Sequence, residues 1–335
     1  MCLFPRMIKN PKFRANKKNG GIVPVCIDKR LEYVPVGCQR CIECRKQKSR
    51  AWGIRLKEEI KSDNRGVFVT LTFSNESYAE LSKKIDKKLE GYERDNEITT
   101  YAMRHFLERW RKHEKTSVKH WFITELGHKG TENVHLHGII WTDKKEKIVQ
   151  RWGYGFVYLG YSMNEKTINY CNKYMTKVDF EHREYMPKVL CSKGIGSNYM
   201  NRTDSSLNKY KAGKTNETYR DKSGHKLNLP IYYRNKIYTE EEREKLWLEK
   251  LNKQERWING VRHDISTEKG WEIYFRSLAY QQEQNKKLGY GNGNGDWSRK
   301  AYENERRNEM HKKRVEAVEN KLSDKWENWL KSIEK

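Results

Sequence analysis

Apolar positions in the middle of the chain switch between the periods of a strand and of a helix. Residues 67–73 are β-branched and aromatic throughout, which predicts a strand with Thr70 and Thr72 on one face. Within 99–112, apolar residues recur at i, i+3, i+4 and i+7, the spacing of one buried helix face. The pattern therefore predicts a strand followed by a helix packed on it.

A similar alternation continues towards the centre of the chain. Residues 120–125 and 133–141 are apolar runs on either side of a polar, glycine-containing loop, which predicts an antiparallel hairpin. A further aromatic strand over 153–161 precedes Asn164, an N-cap for a helix that runs to about Val178. The expected order is strand, helix, hairpin, strand, helix.

The two ends of the chain differ from this middle part. Residues up to about 45 are rich in Gly, Pro, Lys and Cys, which predicts an irregular arm, and a basic amphipathic helix follows to about Ile60. Beyond Gly196 the chain is polar and turn-rich, then helical over 240–253. A glycine-rich segment, 289–295, predicts a flexible link to a charged helical tail. We expect three regions: 1–60, 61–200 and 201–335.

Charge points to a polyanionic partner. The chain has 69 Lys and Arg against 45 Asp and Glu, a net charge of +24, which favours nucleic acid. A membrane surface is the other candidate, but no apolar run is long enough for a spanning helix, and the mean hydropathy is −1.07. The N-terminus lacks the apolar core of a secretory signal, so we expect a cytoplasmic protein.

The cysteine count indicates reduced thiols or metal ligation. There are seven cysteines, and Cys38, Cys41 and Cys44 are crowded together. This spacing is tight for tetrahedral zinc, and a fourth ligand would have to be Cys26, Cys2 or a histidine. The sequence leaves two interpretations open: a structural zinc site formed by Cys38, Cys41, Cys44 and Cys26, or a reduced, partly buried turn.

A histidine pair is the first candidate for chemistry. His135 and His137 are two apart on a predicted strand, so both imidazoles leave the same face. The partner strand carries Glu125, which would complete a two-histidine, one-carboxylate set for Mg²⁺ or Mn²⁺. Glu132 is a competing third ligand, but it falls in the loop. The alternative is a pair of polar residues on a solvated strand face.

A tyrosine pair follows on the last predicted helix. Tyr170 and Tyr174 are i and i+4, so both phenols project from one helical face, and Lys173 and Lys177 lie on the same helix. A phenol with a pKa near 10 needs cationic neighbours to attack a phosphodiester. The bland alternative is an aromatic stripe that packs on the sheet.

Together these segments resemble the three ordered motifs of rolling-circle replication initiators: FVTLTF at 68–73, HLH at 135–137 and YCNKYMTK at 170–177. The two-tyrosine form is similar to that of the Microviridae, the small single-stranded DNA phages. The segment CQRCIECR at 38–45 and the GIG turn at 194–196 resemble the gokushovirus-like branch. The resemblance covers about residues 1–200.

The resemblance implies an α+β chain with an HUH endonuclease fold. Such a fold has a central antiparallel sheet flanked by helices, here with a Cys-rich N-terminal arm and a charged, largely helical C-terminal extension. It also implies an enzyme that nicks the origin of a circular phage genome, joins a tyrosine to the 5′ phosphate, leaves a 3′ hydroxyl and later closes the displaced strand. His135 and His137 would bind the metal, and Tyr170 and Tyr174 would be the nucleophiles, assisted by Lys173 and Lys177.

The implied partners are origin DNA and host machinery in the bacterial cytoplasm. No Gly-x-x-x-x-Gly-Lys-Ser/Thr loop occurs, so a host helicase and polymerase would be needed. A plasmid relaxase or single-strand transposase is an alternative within the same chemistry, although relaxases normally carry their tyrosine before the histidines. A zinc-stabilised, non-catalytic nucleic-acid-binding protein is an alternative from another class.

Candidate DNA contacts include the two strand threonines and a basic cluster after the cysteines. That cluster can neutralise phosphates, and a solvated basic face is the alternative. The candidates are Thr70, Thr72, Arg40, Arg45, Lys46, Lys48, Arg50 and Arg55.

Overall fold

The computed structural model describes residues 1–128, 132–293 and 297–333. The chain forms two compact units, one of residues 1–55 with 197–294 (the arm unit) and one of 56–196 with 295–335 (the sheet unit). Among the described residues, no helix combines the length and apolar character that a membrane span requires.

The chain is mixed α/β. Its strands are β1 Arg6–Lys9, β2 Tyr33–Val36, β3 Gly66–Leu71, β4 Lys119–Leu126, β5 Val134–Trp141, β6 Val157–Ser162, β7 Val189–Cys191, β8 Thr218–Arg220, β9 Lys226–Asn228, β10 Glu255–Ile258 and β11 Val261–Asp264. Its helices are α1 Ile42–Ser62, α2 Asn75–Ser82, α3 Gly91–Glu114, α4 Lys145–Trp152, α5 Glu165–Thr176, α6 Ile231–Ile237, α7 Glu240–Asn252, α8 Glu268–Lys287 and α9 Trp297–Ile333.

The sheet unit contains a five-stranded antiparallel sheet in the order β6-β3-β5-β4-β7. Strands β4 and β5 are the predicted hairpin, and their register places Glu125 opposite His135. The next strand over, β3, pairs Thr70 with His137. Because side chains alternate along a strand, these four residues share one face of the sheet.

The opposite face of the sheet is the hydrophobic core. Val67, Val69 and Leu71 of β3 are fully buried there against the apolar side of α3, which includes Ile98 and Phe106. Burial of this kind contributes roughly 1.5–3 kcal/mol for each large side chain. The core therefore fixes β3 and β5, and with them the polar face that carries the histidines.

Gly138 allows β4 and β5 to approach closely beside His137. A Cβ atom at this position would lie 2.1 Å from the carbonyl oxygen of Trp121. Glycine is thus required sterically at the residue that follows the second histidine.

Helix α9 packs on α2 and α3 of the same unit. Arg307 forms a 2.9 Å ion pair with Asp95 of α3, and both side chains are 2% exposed. The predicted charged, helical tail is confirmed over Trp297–Ile333, and these buried pairs join it to the sheet unit.

In the arm unit the predicted irregular arm contains the two-stranded ladder β1–β2. The predicted flexible link, 289–295, differs from expectation over its described part, 289–293; residues 294–296 lie outside the described residues. Gly293 has φ +88°, and a Cβ there would lie 2.5 Å from Cβ of Cys38. The glycines of this segment serve close packing on the cysteine loop rather than freedom of movement.

Candidate metal and nucleophile site

Glu125, His135 and His137 meet on the exposed face of the sheet. The carboxylate oxygen Oε2 of Glu125 lies 3.3 Å from Nε2 of His135 and 2.9 Å from Nε2 of His137. Adjacent ligands of an octahedral ion with bonds of about 2.1 Å are roughly 3 Å apart. The three ligand atoms therefore fit neighbouring positions around one Mg²⁺ or Mn²⁺ ion.

Both imidazoles are oriented by a partner on the other ring nitrogen. Nδ1 of His137 lies 3.0 Å from Oγ1 of Thr70, and Nδ1 of His135 lies 3.3 Å from the carbonyl oxygen of Asn133. A proton on each Nδ1 would leave both Nε2 atoms free to accept a metal, as in many metal sites. Burial lowers the pKa of His137, which also favours the neutral, metal-binding form.

Glu125 is held as a carboxylate. Its burial alone would raise its pKa, but hydrogen bonds from His135, His137 and Lys177 outweigh burial and hold the pKa well below its ordinary value. The Lys177 ammonium lies 2.5 Å from Oε1, the oxygen that does not face the histidines. The ionised carboxylate is available to a cation on its Oε2 side.

Glu132, the competing third ligand, is occupied elsewhere. Its buried carboxylate pairs with Arg306 and lies 2.8 Å from Nε2 of His182. The structure thus brings Glu125, and not Glu132, to the two histidines.

The tyrosine pair of α5 lies beside this cluster. The ring of Tyr174 stacks on His137 with centroids 4.4 Å apart and an interplanar angle of 6°, and Tyr170 packs edge-on against Phe68. The Tyr174 hydroxyl donates a 2.6 Å hydrogen bond to that of Tyr170. Burial, together with this hydrogen bond, raises the pKa of Tyr174 above its ordinary value.

Asn164 starts α5 as predicted, because its side chain accepts a hydrogen bond from the amide of Thr167. From that start, four-residue spacing carries both phenols towards the sheet. Of the two predicted lysines, Lys177 reaches Glu125, whereas Lys173 is exposed and makes no ion pair or hydrogen bond among the described side chains.

The predicted DNA contacts fall into separate groups. Thr70 contacts His137, and the Thr72 hydroxyl donates to the carbonyl oxygen of Phe156. On α1, Arg55 stacks on the rings of Trp52 and Tyr232, with its guanidinium carbon 4.0 and 3.8 Å from their centroids. The remaining basic residues are half-buried or exposed: Arg40, Arg45, Lys46, Lys48 and Arg50.

The cysteine cluster contains Cys2 in place of the expected Cys26. The sulfur atoms of Cys2, Cys38, Cys41 and Cys44 all lie within 4.8 Å of one another. The Cys26 thiol instead donates to the carbonyl oxygen of Asp28, 3.2 Å away.

Comparisons with known proteins agree with the location of this site. Residues 66–179 match the family of replication-associated proteins that is described by the name ORF2. That span runs from β3 to α5 and so includes Thr70, Glu125, both histidines and both tyrosines. The chain is also 29% identical over 232 residues to "Replication-associated protein ORF2" of Spiroplasma virus 4, covering 59% of this chain and 69% of that protein. The chain is similar to viral replication-associated proteins. No solved structure gives a significant match.

Proposed function

We propose that this chain is a replication initiator of a circular single-stranded DNA phage, of the gokushovirus-like Microviridae, with an HUH endonuclease domain. The proposal rests on one juxtaposition: Tyr170 and Tyr174 lie beside the Glu125, His135 and His137 cluster. This cluster falls within the span that matches replication-associated proteins.

In the proposed reaction a phenol oxygen attacks the phosphorus of one phosphodiester of the origin strand. A bond forms between that oxygen and the 5′ phosphate, and the bond to the 3′ oxygen breaks. The 3′ oxygen takes up a proton and leaves as a free hydroxyl for a polymerase. One phosphodiester replaces another, so no nucleotide hydrolysis is required.

Glu125, His135 and His137 would hold Mg²⁺ or Mn²⁺, which when bound would withdraw charge from the scissile phosphate in the transition state. Thr70 orients His137, and α5 holds the phenols against the same face. Lys177 places a positive charge beside the site, where negative charge develops on the phosphoryl oxygens.

The second tyrosine would allow a second cleavage at the regenerated origin, after which the freed 3′ hydroxyl closes the displaced strand. Exposed basic residues of α1, such as Lys48 and Arg50, would neutralise phosphates of origin DNA. A host helicase and polymerase would extend the nicked strand in the bacterial cytoplasm.

The test uses end-labelled single-stranded oligonucleotides tiled across both strands of the replicon that encodes the chain, with Mn²⁺. We expect one oligonucleotide to form a covalent adduct, with its 5′ phosphate on the protein and a free 3′ hydroxyl on the released fragment. Chelation with EDTA, His135→Ala, or the double change Tyr170→Phe with Tyr174→Phe should abolish the adduct.

Tyr161→Phe is the matched control, because Tyr161 is an exposed tyrosine of the neighbouring strand β6. It should form the adduct at the wild-type rate. An adduct that persists in the double variant, or cleavage that leaves a free 5′ phosphate, would exclude the tyrosine mechanism. DNA binding without any cleavage would instead favour a non-catalytic binding protein.

A further inference from the structure

Four cysteine sulfurs converge in the arm unit, apart from the proposed nicking chemistry. Sγ of Cys2 lies 3.9 Å from Sγ of Cys41, and Sγ of Cys38 lies 4.0 Å from Sγ of Cys44. Cys38, Cys41 and Cys44 are buried, and Cys2 is half-buried. The cluster is a closed group of four soft ligands.

The spacing suits one tetrahedral ion. Zinc–sulfur bonds of about 2.3 Å at tetrahedral angles place the sulfurs roughly 3.8 Å apart. The observed 3.9 and 4.0 Å are close to this value. They are far from the roughly 2.05 Å of a disulfide.

Backbone amides support thiolate ligands. The amides of Phe4 and Cys38 donate to Sγ of Cys2 at 3.3 and 3.2 Å, and the amide of Cys41 donates to Sγ of Cys38 at 3.2 Å. Such bonds stabilise negative charge on sulfur and orient metal ligands. The donors come both from the N-terminal residues and from the loop that precedes α1.

The surroundings of the cluster are apolar. Leu3, Ile258, Ile265 and Tyr274 pack around the three buried cysteines as one hydrophobic cluster, which limits the access of water. A closed set of four cysteines is typical of a structural zinc site rather than a catalytic one.

From this geometry we infer that Cys2, Cys38, Cys41 and Cys44 bind one structural Zn²⁺ ion. The ion joins the N-terminal residues to the first turn of α1 and to the loop before it. In the arm unit it thereby fixes the start of the basic helix. Cys26, the fourth ligand that spacing alone suggested, takes no part.

The experiment measures zinc in full-length protein purified without a histidine tag. All forms carry His135→Ala and His137→Ala, so that the second metal cluster does not contribute. We expect one zinc per chain by elemental analysis, released by a mercurial thiol reagent. Cys2→Ser should lose it, and Cys26→Ser, the matched control, should retain it.

Cobalt substitution of the chain with all seven cysteines provides a second readout that does not depend on a variant folding. Co²⁺ held by four thiolates should give intense sulfur-to-cobalt charge-transfer bands together with tetrahedral d–d bands. Zinc retained in Cys2→Ser but lost in Cys26→Ser would overturn the assignment. Iron in place of zinc, two disulfides in the freshly purified chain, or cobalt without charge-transfer bands would do the same.

Discussion

The hydroxyl of Tyr174 donates a 2.6 Å hydrogen bond to the hydroxyl of Tyr170. This bond would stabilise negative charge on the oxygen of Tyr170, whose side chain is 50% exposed and open to DNA. We therefore expect Tyr170 to attack first. Tyr170→Phe should lower the first-turnover adduct by about 100-fold or more. Tyr174→Phe, which removes a hydrogen bond worth about 1–1.5 kcal/mol, should lower it by roughly 10-fold.

Peptide mapping of the wild-type adduct after a single turnover provides the measurement. Label found mainly on Tyr174 would reverse the assigned order.

The contact between Thr70 and His137 predicts a role for Thr70 in metal binding. Removing a partner that orients a metal-ligating histidine typically costs 10- to 100-fold in metal affinity or activity. Thr70→Val should therefore raise the Mn²⁺ concentration needed for half-maximal adduct formation by roughly 10-fold. Thr72→Val is the control, since its hydroxyl bonds only to the backbone of Phe156 among the contacts given for it. Equal metal dependence in both variants would argue against this role.

Lys177 and Glu125 form an ion pair at the edge of the proposed metal site. Replacing the ammonium in Lys177→Gln removes a competing cation, so Mn²⁺ should bind several-fold more tightly. The rate at saturating Mn²⁺ should nevertheless fall by about 10-fold or more, because a positive charge near the phosphate is lost. Lys173→Gln, on the exposed side of the same helix, should change neither quantity. A Lys177→Gln enzyme with unchanged metal affinity would count against direct competition.

The buried ion pair between Arg307 and Asp95 predicts how firmly α9 is held. Arg307→Met would leave the Asp95 carboxylate buried and unpaired, which typically costs about 3–5 kcal/mol. Lys313→Met changes an exposed residue of the same helix and should have little effect. Thermal unfolding followed by circular dichroism compares the two variants, and equal melting temperatures would refute a stabilising role for the pair.

His182 predicts a dependence of stability on pH. Burial alone would lower its pKa, but hydrogen bonds to Asp179 and Glu132 outweigh burial and raise it. A raised folded pKa means that this stabilisation is complete below the unfolded value of about 6.5 and is lost as pH rises through the folded value. His182→Gln should flatten the fall in melting temperature over that range. A parallel pH profile in the variant would contradict the proposed pairing.

Local patterns were sufficient to predict the sheet face that carries the site. Strand alternation and the hairpin are short-range features, so the approach of Glu125 to His135 followed from sequence, and four-residue spacing gave the shared face of Tyr170 and Tyr174. Glu132 illustrates the limit, because its partners His182 and Arg306 are distant in sequence and only tertiary packing brings them together.

The cysteines show the same limit for a metal group. Spacing identified Cys38, Cys41 and Cys44, but Cys2 reaches them only because the arm folds back. Glycine composition in 289–293 indicated freedom, whereas a positive φ at Gly293 permits a close backbone approach to Cys38. Composition reports which conformations are accessible and not which neighbour selects one of them.

Helix α9 also determines when the sheet unit can be completed during protein synthesis. Every residue of the proposed nicking site is made by Lys177, yet Arg307 and its neighbours emerge only after all of 197–294 has been translated. Until then Asp95 and Glu132 lack the arginines that neutralise them. A ribosome-bound chain would therefore carry the reactive tyrosines on an unfinished scaffold, so cutting of DNA would be delayed until translation is nearly over.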